Sequence, residues 1–179
     1  MTPVLRNRLI GVGFALLLYG IDQWSKNYVT GPLGIDRPGA LMELLPFFDL
    51  RFTQNFGVSL GMFTATSPEQ RWMLVLVTAA IALVVTIWML REKALGDILG
   101  LAMILGGALG NIKDRYDLGY VVDFADLHFG EFRPFLIFNV ADAAITIGVV
   151  IILARAFFLR DKEVDDLMDN QPAQAAENS

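Results

Sequence analysis

Residues 106–145 read GGALGNIKDRYDLGYVVDFADLHFGEFRPFLIFNVADAAI. An apolar run ends in Asn111, Asp114 and Arg115, a short polar connection follows, and a second apolar run begins. Asp123 closes the hydrophobic stretch Tyr120-Val121-Val122, and Asp142 lies inside the second run between Ala141 and Ala143. A carboxylate among so many apolar residues is costly in lipid and in a packed core alike. Two of them joined by one tight connection require a chemical reason.

The remaining sequence supplies the setting. Of 179 residues, 55% are hydrophobic, and the mean hydropathy is positive, which is ordinary for a membrane protein and high for a soluble domain. The net charge of −5 carries no basic stripe that would attract nucleic acid. With no cysteine, disulfides, thiolate metal sites and cysteine nucleophiles are excluded, and the single His128 leaves no histidine-based zinc cluster. The reading therefore assigns no metal and no cofactor.

Four spans are expected, at about 9–28, 72–90, 97–113 and 135–159. The second, Trp72 to Leu90, is free of charge over a length that matches a hydrocarbon core of roughly 30 Å. In the third, Gly96, Gly100, Gly106 and Gly110 recur near helical spacing and would let helix backbones approach closely. Asp22 and Lys26 sit four apart near the end of the first span, a favourable pair on one face or an interfacial pair that fixes helix depth. Residues 30–66 are too polar and too rich in Gly and Pro to span. Within them Leu50-Arg51-Phe52-Thr53-Gln54 alternates as a strand does, which predicts a small extramembrane β-element. Ser67-Pro68-Glu69-Gln70 is a helix start, with Ser as N-cap, Pro at N1 and Gln at N3.

The expected architecture is thus an all-α membrane protein of four transmembrane helices with that β-element between the first two. Residues 1–160 form one domain, and 161–179 form a disordered cytoplasmic tail, acidic and poor in large apolar residues. Arg6, Arg8, Arg91 and Lys93 lie close to span ends, which puts both termini in the cytoplasm and the aspartates toward the outer face.

Asn111 and Arg115, four apart, share a helix face, and so do Asn139 and Asp142, three apart. Such amide and guanidinium donors can orient an acid pair or hold a peptide backbone. Two close carboxylates tend to hold one proton between them, so one can serve as base on a water while the other acts as acid. Taken singly, Asp114, Asp117 and Asp126 read as caps or solvated charges, and His128 as a solvated loop residue. These observations reach a membrane protein with an acid dyad. They do not separate a peptidase from a proton-coupled carrier or a non-catalytic scaffold.

The sequence resembles lipoprotein signal peptidase, or signal peptidase II, a family of bacterial inner-membrane aspartic peptidases. The resemblance rests on Asp22-Gln23-x-Ser25-Lys26, Asn55-x-Gly57 with Val58-Ser59, Gly106 to Asn111 with Asp114-Arg115, Val121-Val122-Asp123-Phe124, and Phe138-Asn139-x-Ala141-Asp142-x-x-Ile145. These five pieces occur in order across most of the chain, while Phe56 and Lys113 stand where the family commonly has other residues. The resemblance implies that Asp123 and Asp142 are the catalytic dyad. It implies that Asp22, Lys26, Asn55, Gly57, Asn111, Arg115, Asn139 and Ala141 bind substrate or support the dyad. The expected substrate is a diacylglyceryl-modified prolipoprotein, cut before its lipidated cysteine by a monomer surrounded by membrane lipid.

Overall fold

The structure, a computed structural model, describes residues 1–57 and 67–177, with side chains given as far as Phe158. Four helices, α1 (Pro3–Thr30), α2 (Pro68–Arg91), α3 (Leu95–Asp117) and α4 (Val140–Glu177), alternate with three strands, β1 (Leu41–Leu45), β2 (Phe48–Asn55) and β3 (Val121–Leu127). Each helix contains a stretch long and apolar enough to cross a membrane, the one in α4 ending at Phe158.

Local chemistry sets the helix starts. Thr2 accepts the Leu5 N–H at 3.3 Å, with Pro3 at the first helical position. Ser67 and Gln70 form the expected reciprocal box, with bonds of 3.4 and 3.2 Å. The end of α2 is tied down from α1: Arg8 donates to the carbonyls of Glu92 and Arg91, and Asn7 to that of Lys93, at 3.1–3.2 Å. At the same end of the bundle, Arg155 of α4 makes a two-bond pair with Asp97 of α3, at 2.7 and 3.0 Å.

Helix α3 is the centre of the bundle and packs against each of the other three. Half of its membrane stretch is buried, against 11–22% for the other spans. The apolar side chains of α1, α2 and α4, such as Leu16, Leu76 and Leu153, face outward as lipid-facing residues should. Lipid is as apolar as leucine, so close packing rather than water exclusion holds such helices together. Gly106 shows how: a Cβ there would stand 2.6 Å from the Ala15 carbonyl oxygen of α1. Gly110 likewise leaves the space that the Asp22 carboxylate occupies.

The strands form one antiparallel sheet in the order β1-β2-β3. Its third strand comes from the α3–α4 connection, so the β-element is not confined to the 30–66 region as the sequence reading had it. The signal was hidden because Val121 to Asp126 are all buried, and a strand covered on both faces shows no alternation. Asn55 pairs with Val121 and Thr53 with Asp123, with a bulge between Leu50 and Thr53. A second departure follows from the sheet. Phe138 exchanges backbone bonds with Ala125 at 2.8 and 3.1 Å, which ties it to β3 rather than to a helix, so α4 starts at Val140 rather than 135. At its other end α4 continues as helix to Glu177, where the sequence reading expects a disordered tail. Residues such as Ala, Glu, Leu and Met favour helix locally.

Candidate active site

Asp22, Asp114, Asp123 and Asp142 meet at one end of the bundle, where α1 and α3 end, α4 begins and β3 crosses. Lys26 is the hub. Its ammonium lies 2.9 Å from Asp22, 2.9 Å from Asp114 and 3.2 Å from Asn111. Three acceptors use all three N–H donors of a lysine. Lys26, Asp22 and Asp114 are each no more than 4% exposed, and burial of that depth is tolerable only because every charge is paired.

From the hub, bonds run outward to each element. The other oxygen of Asp22 accepts the Ala141 N–H at 3.0 Å and so caps the first turn of α4 from α1. Asp114 accepts the Val122 N–H of β3 at 3.1 Å and the Gln23 amide at 2.9 Å. Asn111 accepts from Lys26 and from the Asn139 amide at 3.3 Å, and donates to Asp142 at 2.8 Å.

Asn139 and Asp142 form a reciprocal cap at the start of α4. The Asp142 N–H donates to the Asn139 side chain at 2.9 Å, and the Asn139 N–H donates to the Asp142 carboxylate at 3.3 Å. This is the capping-box arrangement with Asp at N3, at the electropositive end of a helix. The Asn139 amide also donates to Asp123 at 2.7 Å and to the Val122 carbonyl at 3.2 Å. One residue thus holds both carboxylates.

Asp123 projects from β3 and is 2% exposed. Its second oxygen accepts from Asn55 at 3.0 Å. Burial, followed by repulsion from Asp142, raises its carboxyl from an ordinary 3.8 to about 7, although the bonds from Asn55 and Asn139 and the Lys26 charge pull the other way. Asp142 is partly exposed, so the pair opens to one side. Asn55 is itself tied into the site: its carbonyl accepts the Gly57 N–H at 3.0 Å, while one N–H of its amide serves Asp123. Arg115 donates to the Gly57 carbonyl at 2.6 Å and to the Asn111 carbonyl at 3.4 Å, in the field of Asp142, Asp123 and Asp114. Val58 and Ser59 lie outside the described residues.

Every residue named from the sequence as catalytic or supporting is therefore in this one network. The sequence reading missed Asp114, which is not a solvated charge but the link between hub and sheet. Its spacing carried a signal, since Asn111, Asp114 and Arg115 share one helix face. Asp126 and His128 also differ from expectation. Asp126 is fully buried between Arg51 at 3.0 Å and Arg133 at 3.1 Å, and His128 stands 3.0 Å from Asp49. Both lie on the sheet, apart from the network. No group of three or more metal-ligating side chains stands together in a metal-holding arrangement among the described residues.

Four membrane-length helices with a cluster of buried carboxylates at one end define a multi-pass membrane protein. Residues 14–158 match the family of signal peptidase (SPase) II, and the chain belongs to it. It is similar to the lipoprotein signal peptidase of Sphingopyxis alaskensis, with 53% identity over 90% of this chain and 91% of that protein. It is similar also to the lipoprotein signal peptidase of Rhizorhabdus wittichii, with 50% identity over 88% and 91%. A solved bacterial membrane enzyme superposes with a TM-score of 0.72 at 26% identity, covering 86% of this chain and 89% of that one. The chain is accordingly a peptidase and a bacterial multi-pass membrane protein.

Proposed function

We propose that this chain removes the signal peptide from diacylglyceryl-modified prolipoproteins, cleaving before the lipidated cysteine, with Asp123 and Asp142 as an aspartic dyad. The observation that carries this reading is Asn139, which bonds both carboxylates and so joins them as one unit. Asp123, with its carboxyl raised to about 7, carries the shared proton and donates it to the scissile carbonyl oxygen. Asp142 takes a proton from the attacking water, whose oxygen bonds the carbonyl carbon. The tetrahedral species collapses as the peptide C–N bond breaks, and the amine leaves with a proton returned by the dyad. Asn55, Asn111 and Asn139 hold the carboxylates in place. Asp22, Lys26 and Ala141 fix the start of α4, and Arg115 fixes the backbone at Gly57. Neither metal nor thiol is needed for any step.

A site at the end of the helices suits a substrate whose lipid lies in the membrane and whose scissile bond lies at its surface. In the bacterial inner membrane, with both termini in the cytoplasm, that end faces outward. A proton-coupled carrier would call for carboxylates spread through membrane depth, whereas Asp22, Asp114, Asp123 and Asp142 share one end. Purified protein incubated with a diacylglyceryl-modified prolipoprotein should release the signal peptide, and the unmodified precursor should stay intact. Equal cleavage of both precursors, or of neither, overturns the reading.

A further inference from the structure

Two cavities meet at Lys113 on the α1–α3 side of the molecule. The first, about 460 Å³, has Lys26 and Asp114 as its floor and Thr30, Asp36, Asp117 and Lys113 around it. The second, about 370 Å³, is an apolar groove between Leu16 and Tyr19 of α1 and Leu109, Ile112 and Tyr116 of α3, again touching Lys113. Both volumes fall in the range of small-ligand sites, roughly 300–1,000 Å³. Asp123, Asp142, Asn139 and Asn55 line neither, so the pair of cavities lies away from the two paired carboxylates and reaches the network above only from the side of Lys26, Asp114, Gln23 and Val122.

Depth and charge together point to an occupant. Tyr19 and Tyr116 line the groove, and the exposed Trp24 and Tyr28 stack on α1 with ring centroids 5.4 Å apart. Aromatic rings of this kind sit at headgroup level. The groove therefore runs among lipid chains and the polar cavity among headgroups. Of the charges in the polar cavity, Lys26 has spent all three donors and Asp114 is bonded to Lys26, Val122 and Gln23. Those left for a ligand are one cation, Lys113, ion-paired with Asp117 four residues on, and two carboxylates, Asp117 and Asp36. The side chains of Lys113, Asp117 and Asp36 are 44%, 43% and 53% exposed. Arg37, 3.6 Å from Asp36, is 79% exposed and lies outside the cavity lining. One cation beside two anions complements a zwitterion and disfavours a purely anionic headgroup, which would meet two like charges.

We propose that this cleft binds one ethanolamine glycerophospholipid, with its phosphate on Lys113, its ammonium against Asp36 and Asp117, and an acyl chain in the Leu16–Tyr116 groove. The lipid covers the Lys26–Asp114 hub from behind and is a resident of the fold rather than a substrate. The assignment is independent of the reaction proposed above.

The test is native mass spectrometry of the full chain in detergent, titrated with dioleoylphosphatidylethanolamine or dioleoylphosphatidylglycerol. One ethanolamine lipid should bind, about tenfold more tightly than the glycerol lipid, a difference of about 1.4 kcal/mol. The double variant Asp36→Asn/Asp117→Asn should bind the two lipids alike. Leu16→Trp, at a lipid-facing position, should fill the groove and weaken both, with an unchanged helical circular dichroism spectrum. Equal binding of the two lipids by the unaltered protein, or a preference that survives the double variant, overturns the proposal. So does displacement of the ethanolamine lipid by a diacylglyceryl-cysteine peptide, which would make the cleft part of the substrate path.

Discussion

Asp22 in α1 accepts the backbone N–H of Ala141 in α4 at 3.0 Å, across 119 positions of sequence. The same carboxylate holds Lys26 at 2.9 Å. A residue remote from the reacting atoms thereby fixes where the Asp142 turn sits.

Asp22→Ala should therefore lower stability and turnover together. It leaves buried Lys26 with Asp114 as its one carboxylate partner and strands the Ala141 N–H, and breaking a buried pair costs up to about 3–5 kcal/mol. A fall of at least about 5 °C in the melting midpoint in detergent is the expected result. A variant that melts and cleaves as the unaltered protein does would show that the contact is idle.

Asp123→Asn and Asp142→Asn should each reduce cleavage of a lipidated precursor by about 10²–10⁴-fold, the usual weight of a general acid or base. Neither should unfold the bundle, because the Asn side chain keeps one acceptor oxygen and gives up one hydrogen bond, a loss of about 1–3 kcal/mol. Steady-state turnover and a thermal melt on one preparation check this. Near-normal cleavage by either folded variant would remove the dyad from the mechanism.

The raised carboxyl of Asp123 gives a signed pH dependence. The folded state binds this proton more tightly than the unfolded chain, whose carboxyl titrates near 3.8. Its contribution to stability is thus complete below about 3.8 and is lost as pH rises through about 7. Turnover should fall over the same upper limb as the shared proton leaves. Rates between pH 5 and 9 test this, and a profile flat through that range contradicts it.

Asn55→Ala removes one hydrogen bond that favours ionised Asp123, so the alkaline limb should move upward by about one pH unit. Maximal turnover should drop as well, since the Gly57 turn loses its acceptor. Were Asn55 instead a contact to the substrate backbone, the Michaelis constant would rise and the pH profile would stay in place.

A reporter fused after residue 162 should be active only in the cytoplasm, and one inserted near Gly39 only outside. The reverse pattern would turn the site to the wrong face of the membrane.

The spans were legible because each is a long apolar run, and the network was legible where polar residues interrupt such runs at helical spacing. Asn111 with Arg115, and Asn139 with Asp142, needed only the helix repeat to be put on common faces. Asp114 escaped because its partners, Lys26, Gln23 and Val122, come from other elements, and its place on the face of Asn111 and Arg115 was the one local sign that set it apart from Asp117. Strand β3 escaped for a related reason: its neighbour β2 lies on the far side of α2 and α3 in the chain, and burial on both faces erases the period-two pattern. Asp126 looked solvated because Arg51, on the facing strand, is 75 positions away, although Arg133 follows by only seven.

The order of elements along the chain has a consequence for biogenesis. A ribosome that has delivered α1, α2, α3 and β3 has made Asp123, Asn111, Asp114 and the Asp22–Lys26 pair, but not Asp142. Asn139 and Asp142 arrive with the last helix, and the Ala141 N–H that Asp22 accepts arrives with them. On the proposed dyad, a nascent or truncated chain lacking that helix should be inert, and proteolytic competence should begin when the final span enters the bilayer.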